Sequence, residues 1–333
     1  MDLGTIFVLG PFITIIDDSN NNASRKAAKK LYKANKKQKD RQELLVKRVN
    51  PTDKTQFINW RQVTHKENNI YPTIPIVKKK PTCPPTNNEI QSAYKNIESF
   101  HLFKTGQNIV PDPLDKESVI AYIEFMKFKD LSEKDKDDLN FLSTFLHRSK
   151  KFISPVARNT RSWGGLMYAI GWRKSSDKNQ IVGKYIKKFR PEEAIFFHEI
   201  FTQSDWLGDI IAHHFNSLAN TAFQENQDLM KKRNIPSFAS LKFQQDKSEK
   251  DCSPHLVFTT NGFYNPPHVD EEDISQFAFA MFLPTFSADG TLASSSSGYD
   301  LSSGPFVFPD HKFGINFDHQ HGIGSKRLLG GIK

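Results

Sequence analysis

Apolar positions fall into two regimes along the chain. From Lys116, Val119, Ile120, Tyr122, Ile123 and Phe125 recur at helical spacing and predict a helix. A second helix is expected from near Ser132, with Leu139, Leu142, Phe145 and Leu146 on its buried side. His147, Arg148, Lys150 and Lys151 then stand where a helix dipole favours cations. Residues 161–172 mix paired glycines with aromatics and read as a turn followed by a strand. Pro191-Glu192-Glu193 is a helix start, leading into a core helix through Phe196, Ile200, Trp206, Ile210, Ile211 and Phe215. After Cys252 the pattern turns to strands: residues 255–263, 276–283, 305–308 and 313–317, separated by turn residues. Helices followed by a strand-rich end argue for an α+β fold, a β-sandwich or jelly-roll buttressed by helices.

The earlier part of the chain is different in kind. Residues 1–16 are mostly apolar but lack the positive start of a signal peptide, and a short strand or a misplaced gene start accounts for them. Residues 72–85 hold five prolines around three consecutive lysines, which suits an extended linker. Residues 1–110 are therefore expected to be a basic, largely disordered region, and residues 111–333 the folded domain. With 333 residues, 25% charged and 37% hydrophobic, there is material for a large core, and no apolar run is long enough for a transmembrane helix. Cys83 and Cys252 lie far apart without a paired-ligand spacing, which argues against a disulfide framework or a cysteine-based zinc site and fits a reducing, intracellular compartment.

The net charge of +9 is local. Residues 25–50 carry eleven basic side chains, Lys29, Lys30, Lys33, Lys36 and Lys37 among them, against Asp40 and Glu43, so the remainder sums to zero. Such an arm suits a polyanion such as DNA, or the nuclear-import machinery; a solvated tail is the plainer alternative.

Candidate chemistry centres on Asn265-Pro266-Pro267-His268-Val269-Asp270. The prolines oppose helix, and positions i and i+2 of extended chain project to one face, so His268 and Asp270 converge. An imidazole and a carboxylate are two corners of a facial triad for iron(II). The tripeptide alone is weak, because random order gives about 0.8 His-x-Asp occurrences in a chain of this composition. Its plain alternative is a His-Asp hydrogen bond in a loop. His213-His214 point about 100° apart on a helix and cannot easily share a metal. His198-Glu199 begins like a zinc-protease motif, but Thr202 stands where the second histidine would be.

The context of the tripeptide is more specific. The stretch TTNGFYNPPHVDEEDISQFAFAMFL, residues 259–283, resembles the core of the Tet/JBP-like 2-oxoglutarate and iron(II)-dependent oxygenases, particularly a fungal branch carried by transposable elements. GPFVFPDHKFGINFDHQHG, residues 304–322, resembles that branch's strand pair, and RSWGGLMYAIGWRKSSDKNQIVGKY its helical lead-in, so the likeness spans about 150–322. It implies a double-stranded β-helix (jelly-roll) with flanking helices, and His268 and Asp270 as the first two iron ligands. It also implies Fe(II) as cofactor and 2-oxoglutarate as co-substrate, consumed to succinate and carbon dioxide while a substrate methyl group is hydroxylated. In better-known relatives that methyl belongs to thymine or 5-methylcytosine in DNA.

The family pattern continues into a further strand and a distal histidine, whereas no histidine follows His321 here. The ending after Gly322 does not resemble those strands, and the chain is expected to be incomplete at its C-terminal strands. His311, His319 and His321 are the histidines after Asp270, His321 being the candidate third ligand, and Lys326 or Arg327 the candidate clamp for the co-substrate carboxylate. The competing reading is a catalytically inactive remnant, or a nucleic-acid-binding protein that keeps the basic arm.

Overall fold

The computed structural model describes residues 2–9, 55–57, 87–112, 115–156, 165–174, 182–243, 245–260, 262–263, 275, 277–298, 300, 304–318 and 323–331. In chain order they form β1 (Asp2–Leu9), β2 (Thr55–Phe57), α1 (Asn87–Ile97), β3 (His101–Phe103), β4 (Gln107–Asp112) and β5 (Asp115–Lys127). There follow α2 (Glu133–Ser149), β6 (Leu166–Lys174), β7 (Val182–Lys184), α3 (Ala194–Phe201), α4 (Ser204–Leu218) and α5 (Asn220–Lys232). The last elements are β8 (His255–Thr260), β9 (Phe277–Thr285), β10 (Phe306–Phe308), β11 (Phe313–Ile315) and β12 (Ile323–Gly331). The fold is α+β. The domain boundary expected near residue 111 falls within β4, which pairs antiparallel with β5.

Nine strands make one sheet in the order β2-β4-β5-β12-β9-β1-β8-β6-β7, and β10-β11-β3 make a second. Helix α1 packs on the small sheet, whereas helices α2 to α5 cover one face of the large sheet. There Leu139, Leu142, Phe145 and Leu146 of α2 and Leu207, Ile210, Ile211 and Phe215 of α4 meet Tyr168, Phe258, Phe279 and Met281 in one core. The small sheet packs on the opposite face, where Phe103, Phe313 and Ile315 join Ala121, Ile123, Phe125, Ala280 and Phe282. Each large side chain removed from water in these layers contributes roughly 1.5–3 kcal/mol.

One expectation is corrected, and one strand appears that the residues do not announce. The predicted helix from Lys116 is strand β5. Its Tyr122 joins the helix-side core while Ala121, Ile123 and Phe125 join the opposite one. A strand buried on both faces loses alternation and reads as a continuous apolar run, which mimics helical spacing. The segment after Gly322 is strand β12, paired with β5 and β9; its glycines and basic residues hid it.

Other expectations hold. Helix α2 begins where its cap demands: Ser132 Oγ accepts from Asp135 N at 3.1 Å, and Ser132 N donates to the Asp135 carboxylate at 3.3 Å. The predicted helix after Pro191 exists but is broken into α3 and α4, and Phe196 and Trp206 are 52% and 46% exposed rather than core. Trp206 lies flat on Phe141, ring centroids 3.8 Å apart, with its Nε1 donating to Asp138 at 3.3 Å. An amphipathic ring can thus be half-wet without cost. Residues 255–263, 305–308 and 313–317 contain β8, β10 and β11, and residues 276–283 cover all but the last two residues of β9.

Candidate metal centre

His268, Asp270, His319 and His321, and the five lysines of the basic arm, lie outside the described residues. What the structure defines is the frame from which the His268–Asp270 segment is held. Strand β8 leads into it and β9 leads out. The side chains of β8 alternate: Leu256 and Phe258 enter the helix-side core, whereas Val257 clusters with Met167 and Ala169 of β6 on the other face. His255 and Thr259 share the parity of Val257 and are 3% and 4% exposed. Val156, Tyr185 and Phe263 pack against that cluster.

Both ends of the segment are pinned. On the leading side, Gly165 N donates to Gly262 O at 3.2 Å, and Gly262 has φ +64°, a left-handed turn that glycine adopts freely. On the trailing side, Ser275 Oγ lies 2.6 Å from Asn226 Oδ1 of α5 and 2.9 Å from Phe277 O. Asn226 is buried, and its Nδ2 is among the described buried atoms with no hydrogen-bond partner. A buried N–H left so is costly.

Strand register shows how far the segment travels. Thr5 of β1 pairs with Thr259 on one side and Phe282 on the other, so those two are level across the sheet. Both β8 and β9 are antiparallel to β1, hence parallel to each other. The chain leaving Thr260 must return to Phe277, about 20 Å back along the sheet at ~3.4 Å per residue. Strand β12 runs from Ile323 through Lys326, opposite Phe282, to Gly331, opposite Phe277. Strand β12 thus enters the sheet at the end at which β8 leaves it. Lys326 and Arg327 sit between β9 and β5 by backbone register.

The buried His255 imidazole is held well below its ordinary range, at about 4, because burial disfavours the cation. It is neutral near pH 7. The Cys252 thiol, wholly buried, is pushed up by desolvation and is unreactive. His311 sits in the turn between β10 and β11, its ring 6.2 Å from that of Phe313. His214 is buried and His213 exposed, and among the described residues no group of three His, Cys, Asp or Glu could hold a metal.

The sequence profile of the Tet-like 2OG-Fe(II) oxygenase superfamily matches residues 132–325. That span runs from the Ser132 cap of α2 into β12 and covers more than half of the chain. The chain belongs to this superfamily. The comparisons with curated proteins and with solved structures return no match. Among the described residues no helix is long and apolar enough to cross a membrane.

Proposed function

We propose that this chain is a 2-oxoglutarate- and iron(II)-dependent dioxygenase that hydroxylates the methyl group of 5-methylcytosine or thymine in nucleic acid. The observation that carries it is the superfamily match enclosing the His268–Asp270 segment, slung between the pinned ends Gly262 and Ser275. An imidazole and a carboxylate two residues apart suit iron(II), and His321, just ahead of β12, is the proposed third ligand. Bound there, iron(II) with 2-oxoglutarate and dioxygen supplies the oxidising power for hydroxylation, 2-oxoglutarate leaving as succinate and carbon dioxide. The protein's part is to bind and orient. Two packed sheets with flanking helices support a jelly-roll of the family type, here assigned to its fungal, transposon-carried branch. A stacked base cannot present its methyl to such an interior, so the target nucleotide must be flipped out. Lys29, Lys30, Lys33, Lys36 and Lys37 neutralise the phosphate backbone, making affinity fall steeply with salt, and fit a nuclear protein.

The test is anaerobic iron(II) titration of the full chain with and without 2-oxoglutarate. Tight binding lost in His268→Ala and in His321→Ala, followed by hydroxymethylated product from methylated DNA by mass spectrometry, supports the proposal. Binding no tighter than in His268→Ala sinks it in favour of an inactive, nucleic-acid-binding relative.

A further inference from the structure

Strand β1 occupies a place that its position in the chain does not suggest. It lies between β8 and β9, two strands consecutive in sequence. Its register runs from Thr5 opposite Thr259 to Leu9 opposite His255 on one side, and from Asp2 opposite Thr285 to Val8 opposite Phe279 on the other. Both partners lie roughly three quarters of the chain or more away. Its nearest described neighbour in sequence, β2, sits at the far edge of the same sheet, beyond β4. Without β1 the large sheet falls into two pieces, β2-β4-β5-β12-β9 and β8-β6-β7, whose facing edges are parallel and about 9.6 Å apart, two strand spacings.

We propose that the slot between β8 and β9 is a strand-acceptor site, and that residues 2–9 of the same chain fill it as a separable donor strand. Its recognition chemistry is backbone hydrogen bonding on both sides, an extended peptide added between two open edges. Partners separated from β1 by most of the chain make docking a quasi-bimolecular step, governed by effective concentration rather than by chain neighbours. Donor docking sets the spacing of β8 and β9, from which the His268–Asp270 segment hangs. This consequence rests on the metal reading above; the docking itself does not.

The test uses the full chain throughout. Thr5→Cys with Thr259→Cys places the two cysteines at the Cα separation of antiparallel partners, ~4.5–5.5 Å, within disulfide reach. Oxidation should give an intrachain Thr5–Thr259 cross-link by peptide mapping, and Thr5→Cys with Leu256→Cys should not. Ile6→Pro removes a ladder donor from a strand paired on both sides and should lower Tm by roughly 5–10 °C. A synthetic peptide of residues 2–9, added in excess, should restore most of that loss. Cross-links only between chains would make a second copy the occupant and overturn the proposal. So would a peptide that leaves the Ile6→Pro Tm unmoved. Iron(II) titration of the oxidised and reduced double-cysteine chain is read separately. If the wild type binds no iron while cross-link and peptide behave as stated, the metal reading alone fails.

Discussion

The two faces of β8 and β9 are made of the same strands and do different work. On the helix side the core is apolar packing: Phe279 is fully buried, lies parallel to Phe215 with centroids 5.0 Å apart, and is flanked by Met281 and Leu283. One step along, the opposite face changes character across the sheet. Over β9 and β5 it is as apolar as the first, with Phe282 against Phe306 and Phe317 at 5.4 and 4.9 Å. Over β8 and β6 it carries His255, Thr259 and Tyr185 among smaller apolar residues. Alternation lets β8 invest its even positions, Leu256 and Phe258, in stability and its odd positions, His255 and Thr259, in a polar interior. Changes on the helix face should therefore act on folding alone, and changes near β8's other face should reach the site.

The largest break in that comparison is Phe279→Ala. Removing a wholly buried, stacked ring is expected to cost about 3–5 kcal/mol. Urea unfolding should show the loss in the midpoint with the slope unchanged. Gly171→Ala comes next. Gly171 has φ +97°, and a Cβ there would stand 2.5 Å from Pro254 O and 2.9 Å from Phe238 Cα. Backbone cannot yield as a side-chain tip can, so about 2–4 kcal/mol is expected. Gly106→Ala is the control: its φ is +78° but nothing lies within 4 Å of the added carbon. Conformational strain alone should cost about 1 kcal/mol. Thermal melts of the two variants side by side separate clash from strain.

His255 probes the polar half through pH. Its folded pKa is about 4 against an ordinary 6.5. Above pH 6.5 neither the folded nor the unfolded state binds the proton, and its stability contribution is complete. Between 6.5 and 4 the unfolded state is protonated and the folded state is not, so stability falls as pH falls. The total loss is about 3 kcal/mol, spread over that window and finished below it. Denaturant titrations from pH 7.5 to 4 should show this slope in the wild type and a reduced slope in His255→Leu. An unchanged slope would place the acid sensitivity elsewhere.

The same division explains what could be read from residues alone. Helix α2 was legible because Ser132 and Asp135 form a capping box ahead of a one-sided apolar stripe, and β10 and β11 because turn residues bound short aromatic runs. Strand β5 carries a helix-like pattern because burial on both faces erases its period. Strand β12 was missed because Gly324, Gly330 and Gly331 with Lys326 and Arg327 look like a tail; its neighbours β5 and β9, not its own composition, make it a strand. The frame of the site was least legible. Nothing in the local sequence of residues 2–9 indicates that they lie between β8 and β9, and nothing around Asn226 marks it as the partner of Ser275, since both facts belong to tertiary contact. The His268–Asp270 motif was found by family resemblance, because its composition recurs by chance.

Asn226 gives the smallest expected effect on stability and the sharpest on the division of labour. Its Oδ1 faces Ser275 Oγ, while its Nδ2 has no partner. Asn226→Ala removes one hydrogen bond, worth about 1 kcal/mol, and with it an unsatisfied buried donor whose loss is favourable. The two nearly offset, so Tm should move by less than about 3 °C. A core residue this buried would ordinarily be felt more. If Asn226 serves to pin the trailing end of the His268–Asp270 segment, iron(II) affinity should nonetheless fall about three- to tenfold, since ligands set on a looser loop pay more entropy on binding. A large Tm loss with unchanged affinity would return Asn226 to the packing face. A small Tm change with weakened affinity would make the helix α5 contact part of the site, extending the functional half of the sheet through to its helical layer.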